Sequence, residues 1–181
     1  FILTLVLFAS VRVTYSKYLN NLFQSIVNNA TLTHMFEERS YSFSGEEVRL
    51  EIFFYLTFSI FLYQVVNYFN LEFPFQNIML YLLILGGVLF YFVITKLSYR
   101  IIGFIVEGRE ETGEYLFNQD NFNRVAGLIL FPIVILVAFA PFKVTDNLIF
   151  ARGFIFVILY ILVLGRGMSI LFKKQFSIFY L

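Results

Sequence analysis

Residues 77–95 read Asn-Ile-Met-Leu-Tyr-Leu-Leu-Ile-Leu-Gly-Gly-Val-Leu-Phe-Tyr-Phe-Val-Ile-Thr, a run of 19 without a charge that Lys96 ends sharply. A helix needs about 20 apolar residues to cross about 30 Å of hydrocarbon, so this stretch reads as a membrane span. Residues 52–69 and 125–142 are equally free of charge, and 148–165 carries only Arg152 before Arg166 closes it. Strands are the competing reading, since Phe, Tyr, Val and Ile favour them. Barrel strands alternate apolar and polar residues over about 10 positions. These runs are continuously apolar for 18 residues or more, and helices result.

Composition supports the same solvent. The 181 residues are 60% hydrophobic, 21% aromatic and 14% charged, against about 25% charge in a soluble domain. The excess apolar surface exceeds what one small core can hide, which excludes a disordered chain and an ordinary cytosolic enzyme. A net charge of +1 gives no footprint for nucleic acid. Cysteine is absent and His34 is the one histidine, so thiolate metal sites, c-type haem attachment and bis-His haem are excluded, and no cofactor is expected. The run before Val11 and the one at 176–181 are too short to span, and we expect both ends to be cuts through longer segments. The expected fold is an all-α polytopic transmembrane bundle of five or six helices in one domain, 1–181. Its parts are the tail of a span at 1–11, an amphipathic helix at 15–30, four spans at 52–69, 77–95, 125–142 and 148–165, and the start of another at 176–181.

Lys and Arg in short loops set orientation. Eleven of them (Arg12, Lys17, Arg39, Arg49, Lys96, Arg100, Arg109, Arg124, Arg166, Lys173 and Lys174) fall on one side, and Lys143 and Arg152 on the other. The first side is therefore expected to be cytoplasmic, with Asn70–Gln76 and Lys143–Asn147 as short outer hairpins. On the cytoplasmic side Tyr15, Tyr18, Leu19, Leu22, Phe23, Ile26, Val27 and Ala30 follow helical spacing. Ser16, Lys17, Asn20, Asn21, Gln24, Ser25, Asn28 and Asn29 oppose them. One lysine is too little to hold the helix on lipid by charge, so it is expected to lie in the interface or against the bundle, with docking of a partner as the other use. Gly108–Gly113 reads as a turn after the extension Leu97–Ile105.

Side chains with chemical potential are few. Glu107, Glu110, Glu111 and Glu114 share a helix face that suits Ca²⁺ or Mg²⁺, although such runs are ordinarily solvated surface. Ser44 lacks the glycine pattern of an intramembrane serine protease, and Gly-x-Ser-x-Gly is missing. In Glu46-Glu47-Val48-Arg49 the arginine comes two residues too early for the Glu-Glu-x-x-x-Arg motif of one class of membrane proteases. Gln64 and Asn67 share a face and are expected to hydrogen-bond between helices. Gly86-Gly87, and Gly165 with Gly167, are expected to let helices approach closely. Asn123-Arg124 opens the span at 125. Arg124 is offered three uses: a clamp on carboxylates such as Glu107 or Glu114, a contact to lipid phosphate, or an anchor snorkelling to the interface.

Phe36-Glu-Glu-Arg39, Phe122-Asn-Arg-Val-Ala-Gly-Leu128 with Pro132 beyond it, and Phe176-Ser-Ile-Phe-Tyr-Leu181 resemble a family of uncharacterised integral membrane proteins from Bacteroidota, a domain of unknown function. The similarity covers nearly the whole chain, and Phe-Asn-Arg is its most specific element, placing Gly127 beside Asn123 and Arg124 as a packing candidate. The resemblance implies a bacterial inner-membrane location and a further apolar segment after 176–181, and brings no catalytic residues. The function expected is a non-catalytic accessory or assembly subunit, its partners membrane lipids and other integral membrane proteins. A small-solute or lipid transporter is the alternative, and a membrane-embedded enzyme the third reading.

Overall fold

The computed structural model describes residues 2–14, 16–37, 45–69, 74, 76–105, 109–139 and 161. The described residues form six helices and no strand: α1 (Ile2–Thr14), α2 (Ser16–Val27), α3 (Asn29–Glu37), α4 (Gly45–Tyr68), α5 (Asn77–Ile105) and α6 (Arg109–Phe139). The fold is an all-α bundle. Three of these helices are long and apolar enough to cross a membrane: α4, α5 and the Thr112–Phe139 part of α6. The expected runs 148–165, of which Ile161 alone is described, and 176–181 lie outside the described residues, as do Gly165 and Gly167.

α4 is the hub, packing on α6, α5 and α1, while α2 and α3 rest on α6. Its buried stripe recurs at helical spacing through Leu50, Phe54, Thr57 and Phe61. Phe53 meets Phe131 of α6 edge-on at 5.0 Å between ring centroids, and Phe8 of α1 closes the trio at 5.9 and 5.1 Å. Phe54 meets Phe92 of α5 edge-on at 5.3 Å, the arrangement that the ring quadrupole favours. Lipid is as apolar as these side chains, so shape and close contact hold the helices together.

The helix expected over 15–30 is broken at Asn28. The Asn28 N–H donates to the Gln24 carbonyl at 2.8 Å, ending α2, and its Oδ1 accepts the Ala30 N–H at 2.9 Å, capping α3. Asparagine competes with the helix through its own side chain, which makes it a strong N-cap. The apolar face of α2 turns to the bundle: Leu22 is fully buried with Val11, Leu50 and Val125, and Tyr18, Leu19 and Ile26 flank it. Three described positions differ from the expected faces, Ala30 being exposed at the start of α3. Phe23 is exposed, and Ser25 is buried, its hydroxyl donating to the Leu22 carbonyl at 2.7 Å. The back-bond within its own turn satisfies the serine and lets it lie inward.

Of the turn expected at Gly108–Gly113, Arg109–Gly113 belong instead to helix α6, and Gly108 lies outside the described residues. Gly113 is helical and faces the Phe36 ring of α3. Close helix approach occurs at Gly127, where an added Cβ would lie 2.9 Å from the Phe54 Cα, and at Gly103, where it would lie 2.5 Å from Thr112 Oγ1. At Gly86 and Gly87 it would meet nothing within 4 Å. The expected close approach there is not made by the described residues. Gly127→Ala should therefore lower stability in detergent by about 1–3 kcal/mol, since α4 must move away from α6. Gly86→Ala should be neutral or stabilising by at most about 1 kcal/mol, from helix propensity alone. Thermal unfolding of the two variants checks the contrast.

Candidate functional site

The polar side chains of the three long helices gather where the uncharged runs end. On α4, Glu47 precedes Leu50, Phe54, Thr57 and Phe61 in the same helical phase, so the buried stripe carries a carboxylate inward. Glu47 also stands in the first turn of α4, where the helix dipole favours negative charge. Opposite it on α6 is Arg124, 1% exposed. Its Nη2 donates to Glu47 Oε2 at 3.3 Å, and its Nη1 to Asn121 Oδ1 at 2.7 Å and to the Tyr18 hydroxyl at 3.2 Å. One planar guanidinium thus joins α2, α4 and α6. Burial pushes the Tyr18 hydroxyl up to about 12, against the pull of the Arg124 cation. Tyr18 is therefore a neutral hydroxyl at neutral pH.

A second junction ties in α5. Lys96 Nζ lies 2.5 Å from Glu51 Oε1 on α4 and 2.8 Å from Asp120 Oδ1 on α6. The Tyr55 hydroxyl donates to the same Glu51 oxygen at 2.5 Å. One turn further along, the Tyr99 and Tyr115 hydroxyls face each other at 3.4 Å. Several buried polar atoms have no hydrogen-bond partner among the described residues: Arg124 Nε, Asn121 Nδ2, and both amide atoms of Asn118, which is fully buried.

Of the uses offered for Arg124, the carboxylate clamp is the one the geometry shows, with a different carboxylate. Its partner is Glu47, not Glu107 or Glu114. Glu107 lies outside the described residues, and Glu114 accepts from Thr33 Oγ1 at 3.4 Å. A residue 1% exposed neither snorkels nor reaches a lipid phosphate. Asn123 is half-buried and takes no part in this junction. Gln64 Nε2 donates to the Val134 carbonyl at 3.1 Å, joining α4 to α6 as expected, whereas Asn67 is exposed and makes no such bond among the described residues. Among the described residues no group of three His, Asp or Glu side chains is placed to hold a metal ion. The side chains of Glu110 and Glu111, and Ser44, are outside what is described; His34 is exposed on α3.

Glu47, Tyr18 and Lys96 as junction residues escaped the sequence reading. The signal for Glu47 was its phase with the apolar stripe of α4. For Lys96 it was the presence of Glu51 and Asp120 at the same membrane level on the neighbouring helices. Arg124→Met alone should destabilise the protein by about 3–5 kcal/mol, because it leaves the Glu47 carboxylate buried and uncompensated. Adding Glu47→Gln should recover much of that loss. A double-mutant cycle read by unfolding in mixed micelles measures the coupling, and additive losses would contradict a direct pair.

No curated protein and no solved structure matches the chain, so its relatives are found at the level of the family. The Phe122–Leu128 element that carries Asn121's neighbour Arg124 and the close-approach Gly127 lies inside a match that runs from residue 1 to residue 181. The chain belongs to DUF4271, a domain of unknown function.

Proposed function

We propose that this chain is a non-catalytic accessory or assembly subunit of a bacterial inner-membrane complex. The observation that carries the reading is α5. It is the most apolar of the long helices, with a mean hydropathy of 2.5, yet only 17% of its apolar window is buried, against 39% in α4 and 44% in α6. Ile78, Leu82, Phe90 and Val93 are among the large side chains it presents outward. Among the buried and half-buried charged groups, Glu47, Glu51, Lys96, Asp120 and Arg124 are occupied in tying helices together. Residues 52–69, 77–95 and 125–139 contain no charge or histidine, and coupling to an ion gradient normally needs a titratable group at that depth. The partners are other integral membrane proteins and lipid, and the charged end of the bundle faces the cytoplasm, by the excess of Lys and Arg there.

A transporter for a small solute or lipid is the second reading. It draws on a cavity of about 480 Å³ at the opposite end of the bundle, lined by Thr4, Tyr63, Asn77, Tyr81 and apolar neighbours. The purified chain in liposomes should nevertheless move no solute and pass no current, and native protein extracted in mild detergent should carry stoichiometric membrane partners. Robust transport by the isolated chain, abolished by Tyr81→Phe with Asn77→Leu, would establish the second reading instead. For orientation, cysteines at Asn70 and Asp146 should react with an impermeant thiol reagent from the periplasmic side, and cysteines at Asn28 and Thr112 should not. The chain has no cysteine of its own to confuse the pattern.

A further inference from the structure

Beside the Lys96 junction lies a cavity of about 600 Å³ with walls from α4, α5 and α6, a size that takes a small molecule or headgroup. Glu51, Lys96, Arg100 and Asp120 form its polar part, and Phe104 and Phe117 are among its apolar lining. Lys96 takes Oε1 of Glu51 and Oδ1 of Asp120. Each carboxylate keeps its second oxygen, Oε2 or Oδ2, without a hydrogen-bond partner among the described residues. Arg100, one turn beyond Lys96 on α5, is exposed and makes no ion pair or hydrogen bond among the described residues. The four side chains sum to zero charge, with open acceptors on one part of the wall and an open guanidinium on another. A net anion would meet Arg100 but face the two carboxylates; a net cation would do the reverse. A short zwitterion answers both. The acceptor oxygens call for N–H donors, which a primary ammonium has and a quaternary ammonium lacks.

The level of the cavity narrows the source. Lys96 is where the uncharged run 77–95 gives way, so the cavity stands at the depth of lipid headgroups. On the membrane side of that level Phe90, Val93 and Ile94 of α5 are exposed, an apolar surface along which acyl chains can run. We propose that this cavity binds the headgroup of a phosphatidylethanolamine-class lipid. The phosphate lies on the Arg100 fork, which matches phosphate oxygens in a bidentate manner, and the ammonium on the free oxygens of Glu51 and Asp120. The inference rests on the membrane location of the chain and holds for a subunit or a transporter alike.

The test is lipid retention by the full chain, moved from mild detergent into nanodiscs of equimolar phosphatidylethanolamine, phosphatidylcholine and phosphatidylglycerol and read by native mass spectrometry. Retention of the ethanolamine lipid should exceed either other lipid by about tenfold, and Arg100→Gln should remove most of that preference, the loss expected from one charge-assisted contact. Arg100→Glu should abolish it. Arg100 holds no helix, so both variants should unfold at the wild-type temperature. Equal or stronger retention of phosphatidylglycerol would overturn the zwitterion, equal retention of phosphatidylcholine the primary ammonium, and an unchanged preference in Arg100→Gln the site. Saturable binding of water-soluble glycerophosphoethanolamine as tight as that of the lipid would overturn the lipid as its source. A chain that fractionates with soluble protein would overturn the membrane location as well; failed retention in a chain that enters bilayers overturns this proposal alone.

Discussion

A guanidinium withdrawn from water needs its charge and its hydrogen bonds answered by the protein itself, and that requirement at Arg124 fixes how this bundle is put together. Glu47, Asn121 and Tyr18 can meet one planar group only if α2, α4 and α6 stand in one relative register. Sliding α4 by a single residue would swing Glu47 away from α6 by about 100°, given 3.6 residues per turn, and leave two buried charges unpaired. Apolar contacts between membrane helices tolerate such shifts far better, because one phenyl ring replaces another. The ion pair therefore acts as a register pin more than as a source of net stability, in keeping with the small net worth of buried pairs.

Above that layer the bundle is held by shape. Gly127 brings the α6 backbone against Phe54, and Phe53, Phe131 and Phe8 interlock beside it. Pro132 removes the N–H that would bond the Leu128 carbonyl, a loss that membrane helices accommodate through neighbours. Two residues on, the Val134 carbonyl accepts from Gln64 of α4. α5 joins this packing through Val88 and Phe92 against Phe54 and is fastened further at its charged end by Lys96 and by the close crossing of Gly103 with Thr112.

The long helices were legible because charge is excluded from hydrocarbon and the runs 52–69, 77–95 and 125–142 show that exclusion directly. The break at Asn28 was present as a helix-capping residue, but it lay inside an unbroken amphipathic pattern, and the pattern dominated. Arg124 stood out by its place at the mouth of a run. Its partner did not, because Glu107 and Glu114 are near in sequence while Glu47 is 77 residues away, and pairing across helices depends on the rotation of both. Phase was the missing argument: Glu47 follows the buried stripe of α4, and a carboxylate on a buried stripe requires a cation opposite. At Gly86-Gly87 the described residues make no close approach, since small residues permit one without saying which neighbour makes it.

The two junctions use different cations for a physical reason. Arg124 is enclosed, and an enclosed cation needs several directed donors in a rigid frame, which the guanidinium supplies to three acceptors at once. Lys96 is about one-fifth exposed, and a compact ammonium on a flexible stem serves there as a point charge between two carboxylates. The enclosed junction spends its charge on Glu47, a polar amide and a neutral hydroxyl, within a sealed contact of three helices. The open junction has one positive charge between two negative ones, and it borders a cavity and an unengaged Arg100. Structural work is thus concentrated on the α2–α4–α6 side. The residual electrostatic demand lies on the α4–α5–α6 side, where the surface is accessible and where a ligand of matching charge lowers the energy of the folded state.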